Sequence, residues 1–359
     1  MRLARLWREG VCAFNLGGRP TAVDTMPEHR PLMLLRNSGF EVHAVARGTP
    51  RERFELDGIV AWVEPSTARM ASRIAALRPE LLFVETNAYG PLLWELARRR
   101  WIRNPQLAAH PQVRRLQRAA VRRFDAVSFT NPVARDAWTF SADRYVDLPY
   151  PLDLEWWSTP VPRRDAFWTD RERTVPGGPV IVSLASYSRD KRVSELIEEA
   201  APFLTANRSS TLVLVGHPFV EPEVTEMIRT RPAALGIAEQ VIITGWMSHD
   251  DIRELLGWAS VLIVNSRRET QCLAIYEALA AGVPVLIYAT PVLTSQFPRL
   301  PAHENGEELR SNLEQVLSNP ALGAALVEST RQRLAWADVH RHDQVFYEAL
   351  ERLLGRRSG

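Results

Sequence analysis

Two series of short apolar runs, each run followed by a segment of helical spacing, constrain this chain more than any other feature. In the first series Val11–Phe14 ends in Asn15-Leu16-Gly17-Gly18, a strand closed by a glycine turn. Pro31–Asn37 has helical spacing and stops at Gly39, and Glu41–Ala46 reads as the next strand. Leu81–Glu85 and Leu107–His110 are further strands, with a helix around Leu92–Arg99 between them. A basic amphipathic helix, Val113–Phe124, leads into strand Ala126–Thr130. The second series places strands at Val180–Leu184, Thr211–Val215, Val241–Thr244, Val261–Asn265 and Val283–Tyr288. Helices at Val193–Leu204, His249–Trp258 and Leu273–Ala281 alternate with them, and Glu307–Leu317 and His342–Leu354 close the chain. Such alternation predicts an α/β protein whose doubly wound, parallel sheets are covered on both faces.

Composition divides the chain where the two series meet. Pro160, Pro162, Pro176, Gly177 and Gly178 mark residues 158–178 as a linker between a first domain, 1–157, and a second, 179–335. Residues 1–157 hold 23 arginines against 17 acids, and the remainder 21 basic residues against 25 acids. The halves therefore carry about +6 and −4, as separate units would. The apolar stretch Ala278–Gln296 contains Gly282, Pro284 and Pro291 and reads as helix, turn and buried strand, not as a membrane span. Met1–Gly10 lacks an apolar core of signal-peptide length, so cytoplasmic residence is the expectation. Cys12 and Cys272 offer neither a disulfide framework nor a zinc spacing, and no metal motif is present.

Among 44 basic residues there is one lysine, Lys191. Either it is a survivor of an arginine-rich codon bias, or its position needs a compact ammonium that a planar guanidinium cannot replace. Position favours the second reading. In doubly wound sheets ligands bind at the carboxyl ends of strands, where helix N-termini offer free N–H groups to phosphates. Three strand ends of the second half carry suggestive residues: Ser183–Arg192, Gly216–His217 and Ser266–Glu277.

The segment Asn265-Ser-Arg-Arg-Glu-Thr-Gln-Cys-Leu-Ala-Ile-Tyr-Glu-Ala-Leu-Ala-Ala-Gly-Val-Pro-Val285 resembles the signature of family 4 glycosyltransferases. In that signature two glutamates separated by seven residues, here Glu269 and Glu277, precede a small-residue helix and Gly-x-Pro-Val. Ile-Ile-Thr-Gly-Trp-Met and Trp-Ala-Ser-Val-Leu-Ile-Val-Asn-Ser, within 241–266, extend the likeness. Asp147–Trp157 looks like the family's hinge, and Trp336 and Tyr347 like its closing helices, with 336–359 packing back toward the N-terminal domain. The resemblance implies a GT-B fold, in which two Rossmann-like domains face each other across a cleft. It also implies retaining transfer from a nucleotide diphosphate sugar to a hydroxyl acceptor, with no cofactor.

Site roles follow from the resemblance residue by residue. Glu269 would reach sugar hydroxyls, aided by Thr270 and the backbone of Gln271, Cys272 and Leu273, while Glu277 would accept from the ribose hydroxyls. Trp246 and Met247, after Gly245, would meet the base, and Gly216 ends a neighbouring strand. In Ala185-Ser-Tyr-Ser-Arg-Asp-Lys-Arg192, Lys191 matches the family's phosphate-binding lysine and would act with Arg192, Arg189 lying in the same segment. Here Ser186 replaces the family's arginine and Arg192 its glycine. Gly17 and Gly18 resemble the turn that approaches the donor phosphates, or form an ordinary turn. His110 resembles the histidine at the reaction centre, or is a polar residue ending a strand beside Pro111; Glu85 also ends a strand, toward the acceptor.

Leu96–Phe124 contains nine arginines and no acid. Arg98, Arg99, Arg100, Arg114, Arg118 and Arg122, with Trp101 and Ile102 as interfacial residues, fit an anionic membrane surface or a phosphorylated lipid acceptor. That would make the chain peripheral on the inner face of the plasma membrane. An ordinary solvated face is the competing reading, and no nucleic-acid module accompanies the patch. Two further alternatives stand beside sugar transfer: a nucleotide-sugar epimerase on the same fold, and a degenerate transferase, suggested by Ser186, that acts as a binding partner.

Overall fold

The computed structural model describes residues 11–16, 30–47, 49–85, 100–103, 119, 121–136, 138–218 and 221–355. Gly17, Gly18, His110, Arg98, Arg99, Arg114 and Arg118 lie outside these residues. So do the expected helix Leu92–Arg99, the expected strand Leu107–His110 and most of the expected helix Val113–Phe124. The chain divides into two compact units, one of Met1–Pro151 with Val339–Gly359 and the other of Leu152–Asp338.

The first unit is built on strands β1 (Val11–Leu16), β2 (Glu41–Arg47), β3 (Glu52–Leu56), β4 (Ile59–Glu64), β5 (Leu81–Glu85), β6 (Arg100–Arg103), β7 (Ala126–Ser128) and β8 (Tyr145–Val146). Their order in the sheet is β3-β4-β2-β1-β5-β6-β7-β8. All neighbours are parallel except β3 and β4, which form a hairpin. That hairpin turns on Asp57-Gly58, with φ of 51° and 72°, because a two-residue turn matching the strands' right-handed twist needs φ > 0 at both positions. The helix Val339–Gly355 adds Phe346, Leu350, Leu353 and Leu354 to the core formed by Leu32, Leu35, Val42 and Phe83, so the end of the chain belongs to this unit.

One expectation is overturned here. Trp101 is not an interfacial residue: it is fully buried in β6, its ring 5.3 Å from both Phe83 and Phe346. Its indole N–H donates to Ser128 Oγ at 3.2 Å, which satisfies the one polar atom such burial would otherwise strand. A tryptophan among arginines in the sequence can still be a core residue, because successive residues of a strand need not share a face.

The second unit carries β9 (Val180–Leu184), β10 (Thr211–Val215), β11 (Val241–Gly245), β12 (Val261–Val264), β13 (Val285–Tyr288) and β14 (Ala302–His303). All neighbours are parallel, in the order β11-β10-β9-β12-β13-β14. Runs such as Val-Ile-Val-Ser-Leu and Val-Leu-Ile-Val lack polar alternation because these strands are buried on both faces. Residues 158–178, read from their prolines and glycines as a linker, belong to this unit. The short helix Ala166–Thr169 buries Phe167 and Trp168 in its core, aromatic burial outweighing the turn-rich flanks. The chain enters and leaves this unit side by side, with the Leu152 N–H donating to the Ala337 carbonyl at 2.8 Å. No helix among the described residues is long and apolar enough to cross a membrane.

Trp101→Ala should cost about 3–5 kcal/mol of stability, since a large buried ring and its hydrogen bond are lost together. Chemical denaturation of the two proteins measures it; a loss below about 1 kcal/mol would show that this site is not packed as described.

Candidate donor-binding site

Strand order reverses between β9 and β12. Connections from these two adjacent strands leave on opposite sides, opening a crevice at their carboxyl ends, which is where ligands bind in open α/β sheets. From β9 the chain runs through a half-buried Ser186 into the 3-10 turn Arg189–Lys191 and then the helix Val193–Ala206. From β12 it runs through Asn265 and Ser266 to Glu269 and then the helix Leu273–Ala280. The two loops meet at a salt bridge: Lys191 Nζ lies 2.6 Å from Glu269 Oε1, the side chains 27% and 7% exposed. The single lysine and the first glutamate of the spaced pair are thus brought together by the fold. Below them the Arg267 N–H donates to the Asp190 carbonyl at 2.7 Å.

Glu277 stands in the second turn of the helix Leu273–Ala280. It is half-buried, and among the described residues no hydrogen-bond or ion-pair partner faces it. Burial alone pushes its pKa from 4.5 to about 7. A carboxylate desolvated without a partner is costly unless a ligand supplies donors. Gln271 is fully buried, and Cys272 adopts φ 61° at the residue before the helix. The Cys272 thiol is pushed well above its usual pKa, first by burial and then by the charge of Glu269, so it is a neutral group beside that carboxylate. The Thr270 carbonyl accepts from Gln296 Nε2 at 3.3 Å.

The two flanking arginines do not join Lys191. Arg189 is exposed and turned to Glu221 and Glu223 at the start of the helix Pro222–Ala234, 3.4 and 2.8 Å away. Arg192, expected to face the diphosphate, is 6% exposed; its Nη2 donates to Glu199 Oε1 at 2.6 Å and its guanidinium stacks 3.9 Å from the Tyr288 ring. A planar, weakly hydrated cation suits this buried, stacked place. Burial raises the Glu199 pKa, an effect that Arg192 and Asn265 oppose. Asn265 Nδ2 donates to the Arg192 carbonyl at 3.2 Å and to Glu199 Oε2 at 3.0 Å, and its Oδ1 lies 2.9 Å from His303 Nε2. His303 is neutral, its pKa lowered to about 4 by burial and by the Arg192 charge.

The remaining expected residues are placed as follows. Gly216 is required by close approach, since a β-carbon there would fall 1.8 Å from the Ala185 carbonyl oxygen. Gly245 has φ 75°; Trp246 after it is 70% exposed, whereas the Met247 side chain is in the core and can offer a ligand only its backbone. Glu199, Asn265, Tyr288 and His303 were not foreseen. The polar Asn265 closing an apolar strand was the one sequence signal for them.

Comparison with known proteins agrees with this geometry. Two units of this plan, each on a mainly parallel sheet, are the fold of GT-B glycosyltransferases. Sucrose-phosphate synthase from Thermosynechococcus elongatus superposes with a TM-score of 0.76 at 16% identity, over 97% of this chain and 100% of that one. Anabaena HepE, solved with UDP, gives 0.74 at 13% identity over 95% and 99%. Residues 166–333 match the family described as Glycosyl transferases group 1. A 2-deoxystreptamine glucosyltransferase from Streptomyces kanamyceticus is 27% identical over 266 residues, which are 69% of this chain and 65% of that protein, just under two thirds of its length.

The raised pKa of Glu277 sets a pH signature. Its folded value, about 7, lies above the ordinary 4.5, so the folded state favours the neutral acid. Stability is full below about pH 4.5 and falls as pH rises through about 7. Glu277→Gln should therefore match wild type in Tm near pH 4 and exceed it near pH 8, by thermal unfolding at both values. Equal Tm values at both pH values would show that Glu277 is solvated.

Proposed function

We propose that this chain is a retaining glycosyltransferase that moves a sugar from a nucleotide diphosphate sugar to a hydroxyl acceptor. The observation that carries the reading is the Lys191–Glu269 pair at the crevice between β9 and β12, with Glu277, which has no partner among the described residues, on the following helix. An ammonium has three donors, so Lys191 can keep Glu269 and still meet a phosphate oxygen. As the bond from the anomeric carbon to the diphosphate breaks, negative charge grows on the departing oxygen, and Lys191 stabilises it. The N-terminal dipole of the helix Val193–Ala206 adds to that stabilisation. Glu269 and the backbone of Gln271–Leu273 hold the sugar, and Glu277 accepts from the ribose hydroxyls. Retention of configuration is what the family 4 signature implies.

In this reading Lys191, and neither of its two neighbouring arginines, meets the diphosphate, because Arg192 is already paired with Glu199 and Arg189 with two surface glutamates. A panel of nucleotide sugars in a thermal-shift screen, followed by turnover of the hits, tests it. Lys191→Ala should lose most turnover. Lys191→Arg should lose about tenfold or more, corresponding to about 1.4 kcal/mol of transition-state stabilisation. Near-wild-type turnover in Lys191→Ala would remove the lysine from the mechanism; binding of donor with no turnover would favour the degenerate-transferase reading.

The arginine-rich segment is proposed as a docking surface for an anionic membrane, on charge alone now that Trp101 is a core residue. Replacing Arg114, Arg118 and Arg122 with glutamine should reduce sedimentation with vesicles containing phosphatidylserine and leave activity on a soluble acceptor unchanged. Equal sedimentation returns the segment to a solvated face.

A further inference from the structure

Asn265 touches neither end of the Lys191–Glu269 pair, yet its amide joins the two loops that carry it. It is buried at the end of β12, four positions before Glu269. Its three partners come from three different elements: Arg192 from the turn after β9, Glu199 from the helix Val193–Ala206, and His303 from β14. The amide orientation is dictated by chemistry. Nδ2 faces a carbonyl and a carboxylate, which only accept, so Oδ1 must be the atom toward His303, whose Nε2 then carries the proton.

Arg192 is shaped to complete this joint. It takes φ 50° and ψ 36°, a left-handed conformation that is strained for a residue with a β-carbon. Its guanidinium, clamped between Glu199 and the Tyr288 ring, holds that conformation, and its carbonyl accepts from Asn265. A glycine would adopt the same dihedrals without strain but would lack the clamp. Together with the Arg267 N–H on the Asp190 carbonyl, the Asn265 amide fixes the register of one loop against the other.

We infer that Asn265 is a positioning residue: it holds the Arg189–Arg192 turn and the 266–269 loop in the register that sets Lys191 Nζ against Glu269. The structural part stands on the geometry, and its kinetic consequence rests on the glycosyl-transfer reading. The three partners together need two N–H donors and one acceptor, which the carboxamide supplies. Alanine would leave the Arg192 carbonyl, Glu199 and His303 short of a bond, and aspartate would set a third acceptor among acceptors.

The test uses the full chain with Asn265→Ala and the near-isosteric Asn265→Asp, which keeps the volume and the contact to His303. Hydrogen exchange read by mass spectrometry should accelerate at least about tenfold in peptides covering 186–192 and 265–272, with β10 and the helix Pro222–Ala234 unchanged. Turnover should fall by roughly ten- to a hundredfold in Asn265→Asp, because a small misplacement of a charge-stabilising group is expensive. In a Lys191→Ala background the same change should cost less than about twofold, since Asn265 acts through that lysine. Exchange that is unchanged, confined to one loop or spread over the whole unit overturns the inference, as do equal kinetic losses in both backgrounds. If no nucleotide sugar binds wild type, the glycosyl-transfer reading fails, and the exchange comparison alone decides the role of Asn265.

Discussion

Parallel strands deliver all their carboxyl ends to one edge of a sheet, and in the second unit the divergence of the connections after β9 and β12 is the constraint on which the rest depends. Where two adjacent strands send their chains to opposite sides, no helix covers the gap between them. Loops that line such a gap have little apolar surface to anchor them. They must be held by polar ties, which here are the Asn265 amide, the Arg267–Asp190 backbone bond and the Lys191–Glu269 pair.

The buried cluster beneath the crevice illustrates how an arginine-rich chain distributes its charges. Arg192 is paired with Glu199 through Nη2 and stacked on Tyr288, so its charge is held by protein contacts and not by solvent. His303 next to it stays neutral because burial and a neighbouring cation both oppose its protonation. Of the three cations on the turn after β9, the one that reaches Glu269 is the compact and flexible Lys191. Glu277 is the counterpart: a carboxylate desolvated without a partner among the described residues, held at a cost in stability that an apolar or amide side chain would avoid. Groups that break the local rules of burial without compensation are the ones expected at a functional site.

Much of the second unit was legible along the chain. Five of its six strands lie within runs read directly from apolar patterning, since strands buried on both faces need continuous hydrophobic stretches. The glutamate spacing and the unique lysine pointed to the crevice because they sit at strand ends. Less was legible in the first unit. The hairpin β3–β4 carried its Asp57-Gly58 signal but went unread, and the arginines around Trp101 suggested a surface where the tryptophan is core. Turn-rich flanks likewise concealed that Phe167 and Trp168 anchor residues 158–178 in the second unit.

By itself the sequence determined the α/β class, most strand positions of the second unit, and which residue types reach the strand ends. These are local properties, set by hydrophobic period and by turn chemistry within a few residues. Only the tertiary structure decided which of the cations meets which carboxylate: that Lys191 pairs with Glu269 across 78 positions, that Arg192 turns inward to Glu199, and that Glu277 meets no partner among the described residues. Pairing of charges depends on distances between elements remote in sequence and on how much water each retains, and neither quantity exists until the strands are laid side by side.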